Sequence, residues 1–170
     1  MLIAQVAGAA RAGRPARIVV KINALTDPAL IEALVGASQA GASIDLIVRG
    51  ACQLPPGIEG LTSNIRVRSV VGRFLEHSRI IYLRWGETDD EEALYLSSAD
   101  WMLRNMLRRI ELAWPINDPA MRQRVIDECL VPYLHDTRDA WSLQSNGKYE
   151  RIGTDGVSAQ QALMARFRAK

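Results

Sequence analysis

Apolar positions along the chain switch between helical and strand periods, and glycine, proline and aspartate mark the switches. The alanine-rich opening at 1–12 reads as the end of a longer helix, with 1–16 as a truncated linker or helix. AGRPARIVVKI then turns into a strand, because its β-branched run follows a Gly/Pro break. Asp27 and Pro28 open a helix, the first as cap and the second at the first helical position. Leu30, Ile31, Leu34 and Val35 share its apolar face, Ser38 extends that face, and Gly41 stops the helix. ASIDLIVRG follows as a buried strand ending at Arg49. Strand, helix and strand in this order predict two parallel strands joined by a right-handed crossover.

The tract CQLPPGIEGLTSN reads as a loop and IRVRSVV as a third strand. HSRIIYLRW and EALYLSS flank the polar GETDDEE, the pattern of a β-hairpin in which His77 opens the first strand. RRIELAWPI is a further strand candidate. Asp118 and Pro119 repeat the Asp-Pro helix opening, with an apolar face at Met121, Val125, Ile126 and Leu130, and Pro132 is expected to end or kink that helix. A hairpin turning at Asn146-Gly147 and a helix over VSAQQALMARF complete the chain. The expected architecture is α/β, a mixed sheet flanked by helices, in one domain.

Composition narrows the class. The 170 residues are 48% hydrophobic and 24% charged, which excludes disorder and collagen-like sequence. No apolar run is long enough for a transmembrane segment. Cys52 and Cys129 lack metal-like spacing, so a reduced setting is the default. A net charge of +2 argues against bulk nucleic-acid binding. The six arginines between Arg49 and Arg84 face only Glu59 and Glu76 as acids. Guanidinium forks match oxyanions, but on composition alone codon bias combined with a solvated face is the favoured account of such a run.

Candidate chemistry concentrates in that stretch. His77 and Arg79, two apart on a strand, would share a face on which an imidazole and a guanidinium could bind and protonate a phosphoryl oxygen. A hydrogen-bonded hairpin histidine is the competing reading. Arg49 stands where ligands collect, beyond the carboxyl end of a parallel strand, and Gly50 permits close approach. Lys21 and Asn23 flank the end of the first strand, as anion donors or as a solvated end. Ser97, Ser98, Asp100 and Asn105 follow another strand and suit a phosphate cradle or a capped turn. His135, beside Asp136 at a helix end, is accounted for by the helix dipole alone. Neither glycine-rich nucleotide motif, G-x-x-x-x-G-K-[ST] or G-x-G-x-x-G, occurs.

From about Arg11 to ALMARF, the long tracts KINALTDPALIEALVGASQAGASIDLIVRG, VGRFLEHSRIIYL and YLSSADWMLRNMLRRIELAWPI resemble the C-terminal catalytic region of bacterial polyphosphate kinases of the phosphohistidine type. That region consists of two phospholipase-D-like domains, and this chain resembles the second. The resemblance implies reversible transfer of the ATP terminal phosphate to polyphosphate with Mg2+. Arg49, in L-I-V-R-G, matches a position binding nucleotide phosphate. His77, in F-L-E-H-x-R, matches an assisting histidine that contacts or protonates phosphate oxygens. Arg79, Ser97, Ser98, Asp100 and Asn105 match the surrounding motif.

The family's phosphorylated histidine, its magnesium ligands and its adenine-side tyrosine belong to a preceding domain. No metal site is therefore expected in this chain, and the chain alone is expected not to turn over. The implied partners are ATP, ADP, polyphosphate and the remaining domains of the parent kinase. Full-length enzymes are implied to be homo-oligomers, cytoplasmic or peripheral to the inner membrane. Two alternatives stand beside this one. A phospholipase-D-like phosphodiesterase would show H-x-K where this chain has H-S-R. A non-catalytic polyphosphate-binding module would need no nucleophile.

Overall fold

The computed structural model describes residues 2–168; Met1, Ala169 and Lys170, included in the expected single domain, lie outside the described residues. Helix α1 (Leu2–Arg11) precedes β1 (Arg17–Ile22), α2 (Pro28–Gln39), β2 (Ser43–Val48) and β3 (Ile65–Val70). The hairpin strands β4 (Ile80–Arg84) and β5 (Glu92–Ser97), helix α3 (Leu103–Arg108) and strand β6 (Ala113–Pro115) follow. The C-terminal part holds α4 (Pro119–Val125), a wide π turn (Ile126–Leu130), α5 (Val131–Leu134), β7 (Ala140–Leu143), β8 (Tyr149–Arg151) and α6 (Ala159–Arg168). Among the described residues these strands form one eight-stranded sheet in the order β6-β5-β4-β1-β2-β3-β7-β8. The central β1, β2 and β3 are parallel and the flanking pairs are antiparallel.

The Asp27 carboxylate caps α2 by accepting from the Leu30 amide at 3.0 Å, as the sequence predicts. Gly41 closes that helix with a φ of 100°, a left-handed geometry that glycine adopts without strain. The strands β1 and β2 are buried on both faces, which explains their nearly continuous apolar character. On one face Ile18, Val20, Ile44, Leu46 and Leu34 pack with α1 and α2. On the other, Val19, Ile47, Val70, Leu130, Tyr133 and Ala159 pack beneath the 119–134 helix and α6. Alternation also places Lys21 and Asp45 on this second face, within the sheet's interior.

Several expectations need correction. RRIELAWPI forms a strand only at Ala113–Pro115, and Ile110 is fully exposed. Helix α3 just before it gave no sequence signal, because it has no side-chain cap and buries only Asn105. His77 does not open a strand: β4 begins at Ile80, and the preceding segment is irregular. Met121 is exposed, and Tyr133 occupies the core in its stead. Of the two outcomes expected at Pro132, the helix does not end, continuing to Leu134, but it loses its regular α geometry just before the proline. The π turn before it widens the helix where the proline ring would crowd a preceding carbonyl. Between the C-terminal helices of 118–170 the β7–β8 hairpin turns around Asn146 and Gly147, as the sequence suggested.

Leu34 is fully buried at the α2–sheet contact, whereas Leu107 is 73% exposed. Leu34→Ala is expected to cost about 3 kcal/mol in urea unfolding and Leu107→Ala less than about 0.5 kcal/mol. Equal effects would contradict this placement of the core.

Candidate functional site

The parallel strands β1, β2 and β3 all finish at one end of the sheet, and antiparallel pairing brings the start of β4 and the finish of β5 to that end. Asn23, Arg49, the His77–Arg79 segment and Ser97 therefore gather on one rim. This is where polar ends of strands face outward and ligands of open α/β sheets collect.

Asp100 organises the rim. It is 5% exposed, and its Oδ1 accepts from the backbone amides of Asn23 at 2.7 Å and Ala24 at 3.2 Å. The same carboxylate grips Arg79 with both oxygens, Nε at 3.0 Å and Nη2 at 2.9 Å. Burial alone would push this carboxyl up in pKa. The Arg79 and backbone hydrogen bonds outweigh it and hold it below the ordinary carboxylate range. The Arg79 guanidinium in turn lies against the exposed His77, with Nη1 3.2 Å from Nδ1 and 3.1 Å from the His77 carbonyl. The pairing expected from strand alternation thus arises differently, by the arginine folding back on the loop.

Arg49 joins through Asn23, whose Oδ1 accepts from Nε at 2.7 Å. Ser69 donates to the Arg49 carbonyl at 2.7 Å and fixes the backbone there. Nη1 of Arg49 is buried and has no hydrogen-bond partner among the described residues. Arg49 and His77 do not touch; Asn23, Asp100 and Arg79 link them.

Lys21 is not a solvated strand end: it is buried, and the anion it meets is Glu76 of this chain. Its ammonium is 3.1 Å from Glu76 Oε1, donates to Ser78 Oγ at 2.9 Å and stands 3.4 Å above the Tyr133 ring. Tyr133 donates to Glu76 Oε2 at 2.7 Å, and the Ser78 amide donates to Oε1 at 3.0 Å. Burial pushes the Lys21 ammonium below its usual pKa despite the attraction of Glu76. For Glu76, burial acts upward, but the Ser78 and Tyr133 hydrogen bonds and the Lys21 charge bring the carboxyl down to about 2. Glu76 and Tyr133 were not singled out by sequence; adjacency to His77 was the only available sign for the first. Burial likewise drives the Tyr133 phenol upward.

Ser97 reaches the rim through its backbone, donating to the Arg79 carbonyl at 2.9 Å, but its side chain, like those of Ser98 and Asn105, ties the 97–112 segment to itself. Ser98 donates to Glu111, Asn105 donates to Glu111 at 2.6 Å, and Ser97 donates to the Leu112 carbonyl at 3.2 Å. Among the described residues no three histidine, cysteine, aspartate or glutamate side chains converge as a metal site. None of the described helices is long and apolar enough to cross a membrane.

The Glu76 network sets a pH dependence. A carboxylate with a depressed folded-state pKa stabilises the fold fully above its ordinary value of 4.5, and this contribution is lost as the pH falls toward about 2. Glu76→Gln is expected to cost roughly 1–3 kcal/mol near neutrality, because it leaves the Lys21 ammonium without its counter-charge. The difference between the two chains should narrow on acidification from about pH 6 to about pH 3 in urea titrations. A difference independent of pH would show that this carboxylate is not coupled to folding.

Comparison with known proteins agrees with the geometry. The family model described as polyphosphate kinase C-terminal domain 2 matches residues 1–162. The polyphosphate kinase of Burkholderia multivorans is 54% identical over 160 residues, 93% of this chain and 23% of that protein. That of Paraburkholderia phytofirmans is 53% identical over the same shares. The chain thus spans about a quarter of the length of these relatives. The crystal structure of polyphosphate kinase from Porphyromonas gingivalis superposes with a TM-score of 0.91 at 37% identity, covering 99% of this chain and 26% of that one. A phospholipase D family member from Salmonella typhimurium shares the fold, with a TM-score of 0.53 at 14% identity over 84% of this chain and 90% of that one. By sequence along nearly its whole length and by fold, the chain belongs to the polyphosphate kinase family, as its second C-terminal domain.

Proposed function

We propose that this chain forms one wall of the site at which a polyphosphate kinase moves the terminal phosphate of ATP reversibly to polyphosphate. The observation that carries the reading is the buried, unpartnered Nη1 of Arg49 at the strand-end rim. A buried donor without an acceptor is costly, and a phosphate oxygen is the partner that removes the cost with a charge-assisted hydrogen bond. Asn23 holds the other side of this guanidinium at Nε, so the group is oriented before a ligand arrives.

His77 is the second element. It is exposed and lies against the Arg79 guanidinium, whose Nη1 and Nη2 stand 3.2 Å from Nδ1 and 3.3 Å from Nε2, so a phosphoryl oxygen meeting the imidazole would take over a ring nitrogen that Arg79 now engages. In the forward direction the γ-phosphorus leaves the β,γ-bridging oxygen of ATP, yielding ADP, and reaches a terminal oxygen of polyphosphate. The family's phosphohistidine carries it between the two. Arg49 neutralises oxygen charge during the transfer and His77 steadies or protonates an oxygen. The phosphohistidine and the ligands of the magnesium that accompanies ATP belong to the remaining domains of a cytoplasmic, homo-oligomeric parent enzyme. Asp100 and Arg79 align the rim, while Ser97, Ser98 and Asn105 stabilise the loop beside it.

A phosphodiesterase reading has less support. The residue two after the histidine is an arginine locked on Asp100 rather than a free lysine.

This chain is expected to bind tripolyphosphate weakly and to consume no ATP. Calorimetric titration should show affinity falling at least about tenfold in Arg49→Ala, equivalent to about 1.4 kcal/mol, and less in His77→Ala. Native-like binding by Arg49→Ala, or steady polyphosphate synthesis by these residues alone, would overturn the reading.

A further inference from the structure

His77 lies on an irregular segment that ladder hydrogen bonds do not hold, so its position depends on side-chain anchors. Two are near it in sequence: Glu76 on Lys21 and Tyr133, and Arg79 on Asp100. The third comes from the far end of the chain. The side-chain amide of Gln160 accepts from the Phe74 N–H at 2.8 Å and donates to the Phe74 carbonyl at 2.9 Å. One glutamine thereby replaces both partners that a neighbouring strand would have supplied.

This anchor is itself built rigidly. Gln160 is 5% exposed and sits in the first turn of α6. The fully buried Asp136 fixes that turn, accepting from the Ala159 amide at 2.8 Å with one oxygen. Its other oxygen accepts from the Arg138 and Asp139 amides at 3.0 and 2.7 Å. Ala159 is fully buried in the core beneath the sheet. Gly72 leaves room for the arrangement: a Cβ there would stand 2.6 Å from the Gln160 side-chain oxygen.

We propose that Gln160 is a positioning residue for His77, through which the C-terminal helix α6 holds the phosphate-contacting loop in register with Arg49. The inference rests on the phosphate-site reading of His77, and two measurements separate the fates of the two ideas. One is amide hydrogen exchange across 74–78, which reports the loop alone; the other is tripolyphosphate titration, which reports the site.

In Gln160→Ala, the 74–78 amides should exchange about tenfold faster or more, with β1 and β2 unchanged. Gly72→Ala should do the same by evicting the Gln160 amide, which keeps the test available if the first variant folds poorly. Gln160→Glu keeps the acceptor for the Phe74 N–H and loses the donor, so it should fall between. Tripolyphosphate affinity should drop in Gln160→Ala to the level of His77→Ala, and the double variant should lose nothing further. Losses that multiply in the double variant would assign Gln160 a role independent of His77 and overturn the proposal. So would unchanged loop exchange in both Gln160→Ala and Gly72→Ala. If His77→Ala alone binds as the native chain does, the phosphate-site reading fails. Loop exchange then decides the Gln160 anchor by itself.

Discussion

One buried carboxylate sets the geometry on which the rim depends. Asp100 accepts from two backbone amides just beyond β1 and from the Nε–Nη2 edge of the Arg79 guanidinium, so it fastens the segment after β5 to the finish of a central strand. Backbone bonds between Trp101 and residues 24–27 reinforce the same junction. Through Asn23 this junction orients Arg49, and through Arg79 it backs His77. A buried charge is tolerable only when its lone pairs are satisfied, and Asp100 meets that condition by joining elements far apart in sequence. The requirement to satisfy one carboxylate therefore aligns two cationic or polar groups that never touch each other.

The two faces of the sheet follow different physical rules. Beneath α1 and α2 the packing is apolar, aliphatic side chains from Val6 to Leu143 together with Trp101. The opposite face carries charges within its apolar packing. Asp45 is clamped between Arg17 and Arg66 across three adjacent strands, and Lys21 is enclosed by Glu76, Ser78 and Tyr133. Each of these groups is held by hydrogen bonds in more than one direction, so breaking one partner strands the others. Such networks add little net stability over apolar packing, yet they fix which strand lies beside which and keep loops in one place. The site sits at the end of the charged face, where that fixity is useful.

Much of the frame was legible in the chain because it is written in local chemistry. Asp27-Pro28 and Asp118-Pro119 announced helices through capping geometry, and β-branched runs announced the central strands. The place of Arg49 just after a parallel strand was legible in the same way. Side-chain partnerships across long separations were not legible: Asn23 with Asp100, Lys21 with Glu76, and Phe74 with Gln160 lie 77, 55 and 86 positions apart. Helix α3 escaped for another reason, since a short, exposed helix with neither cap nor apolar stripe leaves no periodic trace. The loop bearing His77 was mistaken for strand because its neighbours alternate correctly from Ile80 onward, and nothing in the sequence marks where pairing stops.

These differences bear on how precision is distributed in the site. Arg49 directly follows a central, doubly covered strand, and its backbone is set once β1, β2 and β3 have paired. His77 has no such support. Its place is the joint product of Tyr133 from α5, Asp100 after β5 and Gln160 from α6, three elements that must all be seated. The Arg49 end of the rim therefore rests on the central sheet, whereas the His77 segment is held by contacts with the C-terminal third. On the phosphate-site reading proposed above, transfer demands close alignment, so the seating of these three elements bears on the rim as directly as the identity of the histidine.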